Sequence, residues 1–237
     1  MVKRILAIIM LLIVGFWMAN ALSGVPFGED KMLVGKYYLE NVKEQTGAVN
    51  AVTAVVVNYR GFDTLGEVTV LFIASTGVGA LLWRKKKERT AKSEGSVVLR
   101  TGSRILLPFI MLFGAYIFIH GHLTPGGGFP GGATIATAFL MLYLAFKDYE
   151  IEHKVFEPIE GLAGVGYVTV GLIGLAIGSY FLFDWIWQTW GWGHENIGRL
   201  LSAGFIPIIY TLIGIKVGTE LTGIVDNMVR EEVKGND

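Results

Sequence analysis

The sequence predicts an all-α, polytopic membrane protein with about six transmembrane helices and a Gly-rich connection between the third and fourth. Three observations carry this prediction. Of 237 residues, 52% are apolar and only 17% charged, against about a quarter charged in ordinary soluble domains. Glycine is abundant, 32 residues against 6 proline, and small residues let helices pack closely in lipid. The charges also cluster between apolar runs long enough to cross a bilayer, which takes roughly 20 residues.

The first span is Ile5 to Leu22, 18 residues without a charge. Met1-Val2-Lys3-Arg4 before it resembles the start of a signal peptide. Asn20-Ala21-Leu22-Ser23 makes a poor cleavage site, so a retained span is expected. From Asp30 to Glu44, charges alternate with Met32, Leu33, Tyr37 and Leu39, as on a solvated surface helix. Val49 to Tyr59 is apolar and β-branched but only 11 residues long, which suits a buried, interfacial or re-entrant segment. The second span is Thr64 to Trp83, with one acid, Glu67. Ile105 to Gly121 is the third, and Ala133 to Phe146 a short fourth. Gly161 to Phe183 and Leu200 to Gly218 are the fifth and sixth.

With the N-terminus in the cytoplasm, the inner segments hold 15 of the 20 Lys and Arg and the outer segments 5. That excess on one side sets the orientation, so the expectation is a multi-pass protein of the cell membrane with both termini cytoplasmic. Asp184 to Trp192 carries four tryptophans on the outer side and reads as an interfacial aromatic belt. The basic run Arg84 to Lys92, followed by Ser93-Glu94-Gly95-Ser96, is the one linker-like stretch. It divides the chain into a two-span piece, 1–92, and a four-span piece, 93–237. The net charge is zero and there is no Cys, so nothing points to nucleic acid, to disulfides or to thiolate metal sites.

Two constellations could carry chemistry. In Asn58-Tyr59-Arg60-Gly61-Phe62-Asp63-Thr64-Leu65-Gly66-Glu67, three ionisable groups lie at or just inside the outer end of a span. On a helix Asp63 and Glu67 share a face. Charges at that depth are candidates for an ion or proton path; the alternative is that Arg60 pairs with Asp63 while Glu67 sits at the interface. The second constellation runs from His120-Gly121-His122 through Thr124-Pro125-Gly126-Gly127-Gly128-Phe129-Pro130-Gly131-Gly132. It lacks the Lys-Ser/Thr of a phosphate loop, and its glycines and prolines are expected to break a helix, leaving a tight connection that dips into the bilayer. His120 and His122 alternate, so one shared metal is not expected; each is either structural or a proton-transfer group.

Glycines spaced by four, Gly174 with Gly178 and Gly214 with Gly218, together with Gly161, Gly164 and Gly171, read as helix-packing positions. Lys216 and Glu220 read as an anchor at the inner interface, with a gate as the alternative. Glu157 and Glu160 suit a helix N-terminus.

The Gly-rich run closely resembles the signature of the MnhB subunit of multisubunit Na⁺/H⁺ antiporters, the Mrp or Mnh family. Pro130 stands where many members have Gln, which stiffens the loop. The front motif from Asn58 to Glu67 resembles the C-terminal part of the large antiporter subunit (the "A" component) of the same complexes. The first resemblance covers about residues 95 to 230 and the second about 1 to 90. The same pieces recur in the ion-translocating arm of archaeal membrane-bound hydrogenases, formate hydrogenlyases and sulfane sulfur reductases, and a front piece without the large antiporter helices is similar to that arrangement.

The resemblance implies a non-catalytic subunit that handles Na⁺ and H⁺ among other antiporter-type membrane subunits and lipid. It maps ion-pathway residues onto Arg60, Asp63 and Glu67. Without Cys there is no nickel, flavin or iron–sulfur ligand set, so no cofactor is expected and redox chemistry falls to partners. A lipid-embedded spacer without its own path, or a component of a stand-alone antiporter, are the alternatives.

Overall fold

The computed structural model describes residues 2–24, 32–82, 94–191 and 194–231. The basic run Arg84 to Lys92 and Trp192 lie outside them. Helices are the regular structure of the described residues, which contain no strand. Six helices are long and apolar enough to span: Lys3–Ser23, Gly61–Leu82, Val97–Ile119, Gly128–Ala145, His153–Gly178 and Ile206–Val229. The predicted class and the number of spans hold. The chain divides into two units, Met1–Tyr37 and Tyr38–Asp237.

The first unit contains α1 (Val2–Ser23) and the first residues of α2 (Leu33–Thr46). α1 is apolar along nearly its whole length, as a span in lipid must be.

In the second unit the chain leaves α2 through Gly47, at φ +66, a left-handed conformation that favours glycine. Asn50 caps the short α3 (Ala51–Ala54) by accepting from Val52 N, and a π-helical turn, Val55–Tyr59, follows. Arg60 leaves helical geometry at φ −123, ψ 31, and the spanning α4 (Gly61–Leu82) begins. Ala54 and Val57 are fully buried while Val49 and Val52 are exposed, so the 11-residue apolar stretch is a partly buried segment, too short to span.

α5 (Val97–Ile119), α6 (Gly128–Ala145), α7 (His153–Gly178) and α9 (Ile206–Glu231) form the rest of the bundle, with the one-turn α8 (Trp185–Gln188) between α7 and α9. α9 is the hub, packed against α4, α5, α6 and α7. Its buried residues Ile206, Ile209, Ile213, Val217 and Glu220 recur at helical spacing.

Several boundaries differ from the sequence reading: α5 starts at Val97 rather than Ile105 and α7 at His153 rather than Gly161, and three further shifts bear on packing. α6 starts at Gly128, inside the Gly-rich run, and is 18 residues long rather than 14. Pro130 falls in its first turn, where no intrahelical N–H is needed. Gly131 and Gly132 are therefore helical packing positions, not breakers. A Cβ on Gly131 would lie 2.7 Å from the Gly114 carbonyl of α5, and one on Gly132 would lie 2.7 Å from the Gly214 carbonyl of α9.

α7 ends at Gly178 because Ser179 turns left-handed at φ 68. Residues 180–183 then fold back along the helix, where Gly171 and Gly178 face the rings of Phe181 and Phe183. This glycine face receives its own return loop rather than another helix. Gly214 and Gly218 do serve helix packing, against Phe118 and Gly132. Finally, α9 begins at Ile206 and continues to Glu231, thirteen residues past the predicted end at Gly218.

Candidate functional site

Helix direction gathers the connections 47–60, 120–127 and 179–205 at one end of the bundle, here the loop end. Polar side chains from the front segment bind backbone carbonyls there. Asn50 Nδ2 donates to the carbonyls of Gly121 and Thr124, each at 3.0 Å. Thr53 Oγ1 donates to Gly121 at 2.5 Å, and Asn58 Nδ2 to Leu182 at 3.2 Å. In return Tyr167 OH donates to Gly61 at 3.0 Å. The contacts to Gly121 and Thr124 satisfy carbonyls that the Gly-rich turn leaves unpaired, and those to Leu182 and Gly61 tie the front segment to α7 and its return loop. The predicted belt is split by this packing: Trp190 is exposed, but Trp187 is buried and donates through Nε1 to Glu44 O at 2.9 Å.

The Gly-rich connection is a structural turn. Pro125 and Gly126 are exposed, whereas Gly127, Gly128, Gly131 and Gly132 are buried. Gly127 caps α6 at φ +145, which a residue with a side chain rarely adopts. His120 stacks on Tyr116 with ring centroids 4.1 Å apart. His122 is fully buried; its Nε2 lies 3.2 Å from Arg199 O, and its carbonyl accepts from Val49 N and Asn50 N. The two rings engage different partners. Burial lowers the pKa of His122 below the ordinary histidine value, more than its backbone bonds raise it, which favours the structural of its two readings.

Asp184 also lies at the loop end, fully buried. Its Oδ1 accepts from Trp187 N at 3.0 Å, capping α8, and from Phe205 N at 3.4 Å; its Oδ2 has no partner among the described residues. Burial pushes its pKa up to about 7, partly opposed by those N–H groups. From the ordinary aspartate range at about 4 up to about 7, the folded chain keeps a proton that the unfolded chain releases, so stability falls as pH rises through that window. Asp184→Asn is expected to narrow the Tm difference between pH 5 and pH 8 in thermal unfolding. An unchanged difference assigns the pH dependence elsewhere.

The front motif sits at the start of α4. Arg60 Nε donates to Asp63 Oδ2 at 2.7 Å, and the guanidinium and carboxylate form an ion pair whose side chains are 64% and 53% exposed. Glu67, one turn deeper, is exposed on the flank of the span. Of the five residues proposed for the ion path, the structure brings together Arg60 and Asp63, sets Glu67 on the same helix, and leaves both histidines in the Gly-rich turn.

A second polar cluster, inside the bundle, was not singled out as a pathway by the sequence. Lys216 Nζ lies 2.6 Å from Glu220 Oε1 and 3.4 Å from Glu160 Oε1, and 5.0 Å from the centroid of Phe72 on α4. Lys216 is 8% exposed and Glu220 fully buried. Lys216 lies about 15 Å from the start of α9 and against Phe72, midway along the 22-residue α4. The residues expected as an anchor at the inner interface form a buried ion pair inside the bundle. Glu160 reaches across from α7 to join it, rather than serving only a helix terminus. Farther along α9, Asp226 is 1% exposed; it accepts from Tyr143 OH at 2.7 Å and lies 3.0 Å from His153 Nε2.

Known proteins resemble the chain over both its front and its back part. The family described as "Domain related to MnhB subunit of Na+/H+ antiporter" matches residues 98–223, and the MbhE family, a component of MBH, matches residues 2–96. A chain in the solved structure of the membrane-bound sulfane sulfur reductase (MBS), an archaeal respiratory membrane complex, is 80% identical, with a TM-score of 0.84; the match covers 98% of this chain and all of that one. An uncharacterized protein of Methanocaldococcus jannaschii is 30% identical over 189 residues, covering 71% of this chain and 72% of its own. A probable K⁺/H⁺ antiporter protein of Rhizobium meliloti, named for a joined A/B component, is 26% identical over 206 residues. That match covers 76% of this chain but only 20% of the longer protein. The chain is a multi-pass membrane protein, and it belongs to the family related to the MnhB subunit of Na⁺/H⁺ antiporters.

Proposed function

We propose that this chain is a membrane subunit of an Na⁺/H⁺ antiport module, in the ion-translocating arm of an archaeal respiratory complex of the hydrogenase or sulfane sulfur reductase type. Arg60, Asp63 and Glu67 lie on its ion path. The observation that carries this reading is the exposure of Glu67 on the flank of a span. An ionised carboxylate is not stable against lipid tails and faces protein or water instead, so a neighbouring subunit covers this flank and the path runs between the two. The π-helical turn ending at Arg60 adds support, since such turns are rare and concentrate at functional sites.

The same reading makes the chain non-catalytic by itself, with electron transfer in other subunits of the hetero-oligomer. Residues 1–92 and 93–237 are two pieces of different origin, supported by the two family matches meeting at residues 96 and 98. His120 and His122, the other two residues expected on the path, shape its loop end. The test is Na⁺-dependent pH change in inverted vesicles holding the assembled complex, which must fall when the Glu67 carboxylate is removed.

With Lys216 set aside as part of the bundle, the remaining Lys and Arg divide 14 to 5, which supports a cell-membrane protein with both termini in the cytoplasm. Cysteines introduced singly into this Cys-free chain at Thr189 and Asp148, both exposed, are expected to react with an impermeant thiol reagent from the outside and only after permeabilisation, respectively. The reverse pattern inverts the orientation.

A further inference from the structure

We infer that Lys216, Glu220 and Glu160 form a proton-binding site within this chain's own bundle, with Glu220 as the group that takes the proton. The charge arithmetic comes first. One ammonium and two carboxylates in mutual contact carry a net charge of −1 when all are ionised, and a net charge in hydrocarbon is costly. A single added cation makes the cluster neutral.

The geometry identifies where it binds. Glu220 Oε1 is held by Lys216, whereas Oε2 is buried with no partner among the described residues. A proton delivered by water forms one O–H bond at Oε2, leaves that water as hydroxide or as neutral water from hydronium, and oxidises nothing. A single free oxygen suits a proton; a sodium ion needs several oxygen ligands.

The cluster is also built to exchange partners. Lys216 stands between Glu220 at 2.6 Å and Glu160 at 3.4 Å. When Glu220 is protonated, the ammonium's remaining anion is Glu160, whose side chain is 23% exposed against 0% for Glu220. Gly164 leaves room for this movement, since a Cβ there would lie 3.4 Å from Lys216 Cδ. Among the described residues, α7 brings Glu160 and α4 brings Phe72 to the site. Tyr143 of α6 is bound to Asp226 instead. The arginines of α5 lie elsewhere, Arg100 against Glu94 and Arg104 over Phe146. Asp226 lies about 9 Å farther along α9, 3.0 Å from His153 of α7, at the end where His153 is 42% and Glu157 74% exposed. These titratable groups stand between the cluster and that surface.

The inference stands independently of Glu67, and its test does not require transport. Infrared difference spectroscopy of the assembled complex in nanodiscs, between pH 5 and pH 9 in choline buffer, is expected to show a protonated-carboxyl band that Glu220→Gln abolishes. Glu160→Gln removes the excess negative charge, so it must weaken the same band at pH 7 by several-fold; this variant decides the matter should Glu220→Gln fail to assemble. An unchanged band in either assembled variant overturns the proposal. So does loss of the wild-type band when Na⁺ replaces choline at fixed pH, which makes the occupant sodium.

Discussion

Glu67→Gln lowers Na⁺-dependent proton movement per assembled complex by roughly a hundredfold, the scale of losing one preorganised charge-stabilising group from a low-dielectric site. Gln nearly preserves the volume and can still accept hydrogen bonds, but it neither titrates nor carries charge. Assembly survives because Glu67 is exposed within this chain, so none of its own packing is lost. The control is His122→Ala. That ring is buried, and its Nε2 lies 3.2 Å from Arg199 O, so truncation loosens the loop end and lowers the yield of complex while coupling per complex stays within a few-fold. Transport in inverted vesicles, normalised to immunoblotted complex, separates the two effects. Full coupling in Glu67→Gln favours the spacer reading.

Gly132→Val is expected to deplete the assembled protein by tenfold or more. A Cβ at this position would lie 2.7 Å from Gly214 O and 2.9 Å from both Gly218 N and Val217 Cβ. Two of those three atoms are α9 backbone, so α6 and α9 must move apart and surrender contacts along the hub helix. Overpacking by a few atoms typically costs about 1–3 kcal/mol; a branched side chain forced against backbone exceeds that, and the whole stability of a domain is only about 5–15 kcal/mol. Gly161→Val is the matched control, because a Cβ there meets nothing within 4 Å. Quantifying each chain in membranes and its Tm in detergent checks both. Equal abundance of the two variants contradicts the close crossing.

The contrast between these glycines shows what could be read from the sequence. Six spans were legible because apolar runs bounded by charges need no tertiary information. The start of α6 was not legible, because Gly131 and Gly132 are poor helix formers alone and become favourable only where α5 and α9 press against them. The depth of Lys216 was missed for a related reason. A lysine followed by Glu220 ends an apolar run and marks a membrane boundary unless partners inside the bundle neutralise it, and Glu160 belongs to a distant segment. Asn50, Thr53 and Asn58 went unnoticed because a side chain that binds a carbonyl about 70 or 124 residues away leaves no local pattern. Arg60 and Asp63 were legible as a pair because they lie three residues apart in sequence, across the start of α4.

A Glu67 that faces water between subunits makes a cysteine at that position reactive. In the assembled complex, Glu67→Cys is predicted to react with a positively charged, membrane-impermeant thiol reagent, and more slowly when Na⁺ is raised. A cysteine at 67 that stays unreactive while one at Thr189 is fully modified contradicts an ion path at this flank.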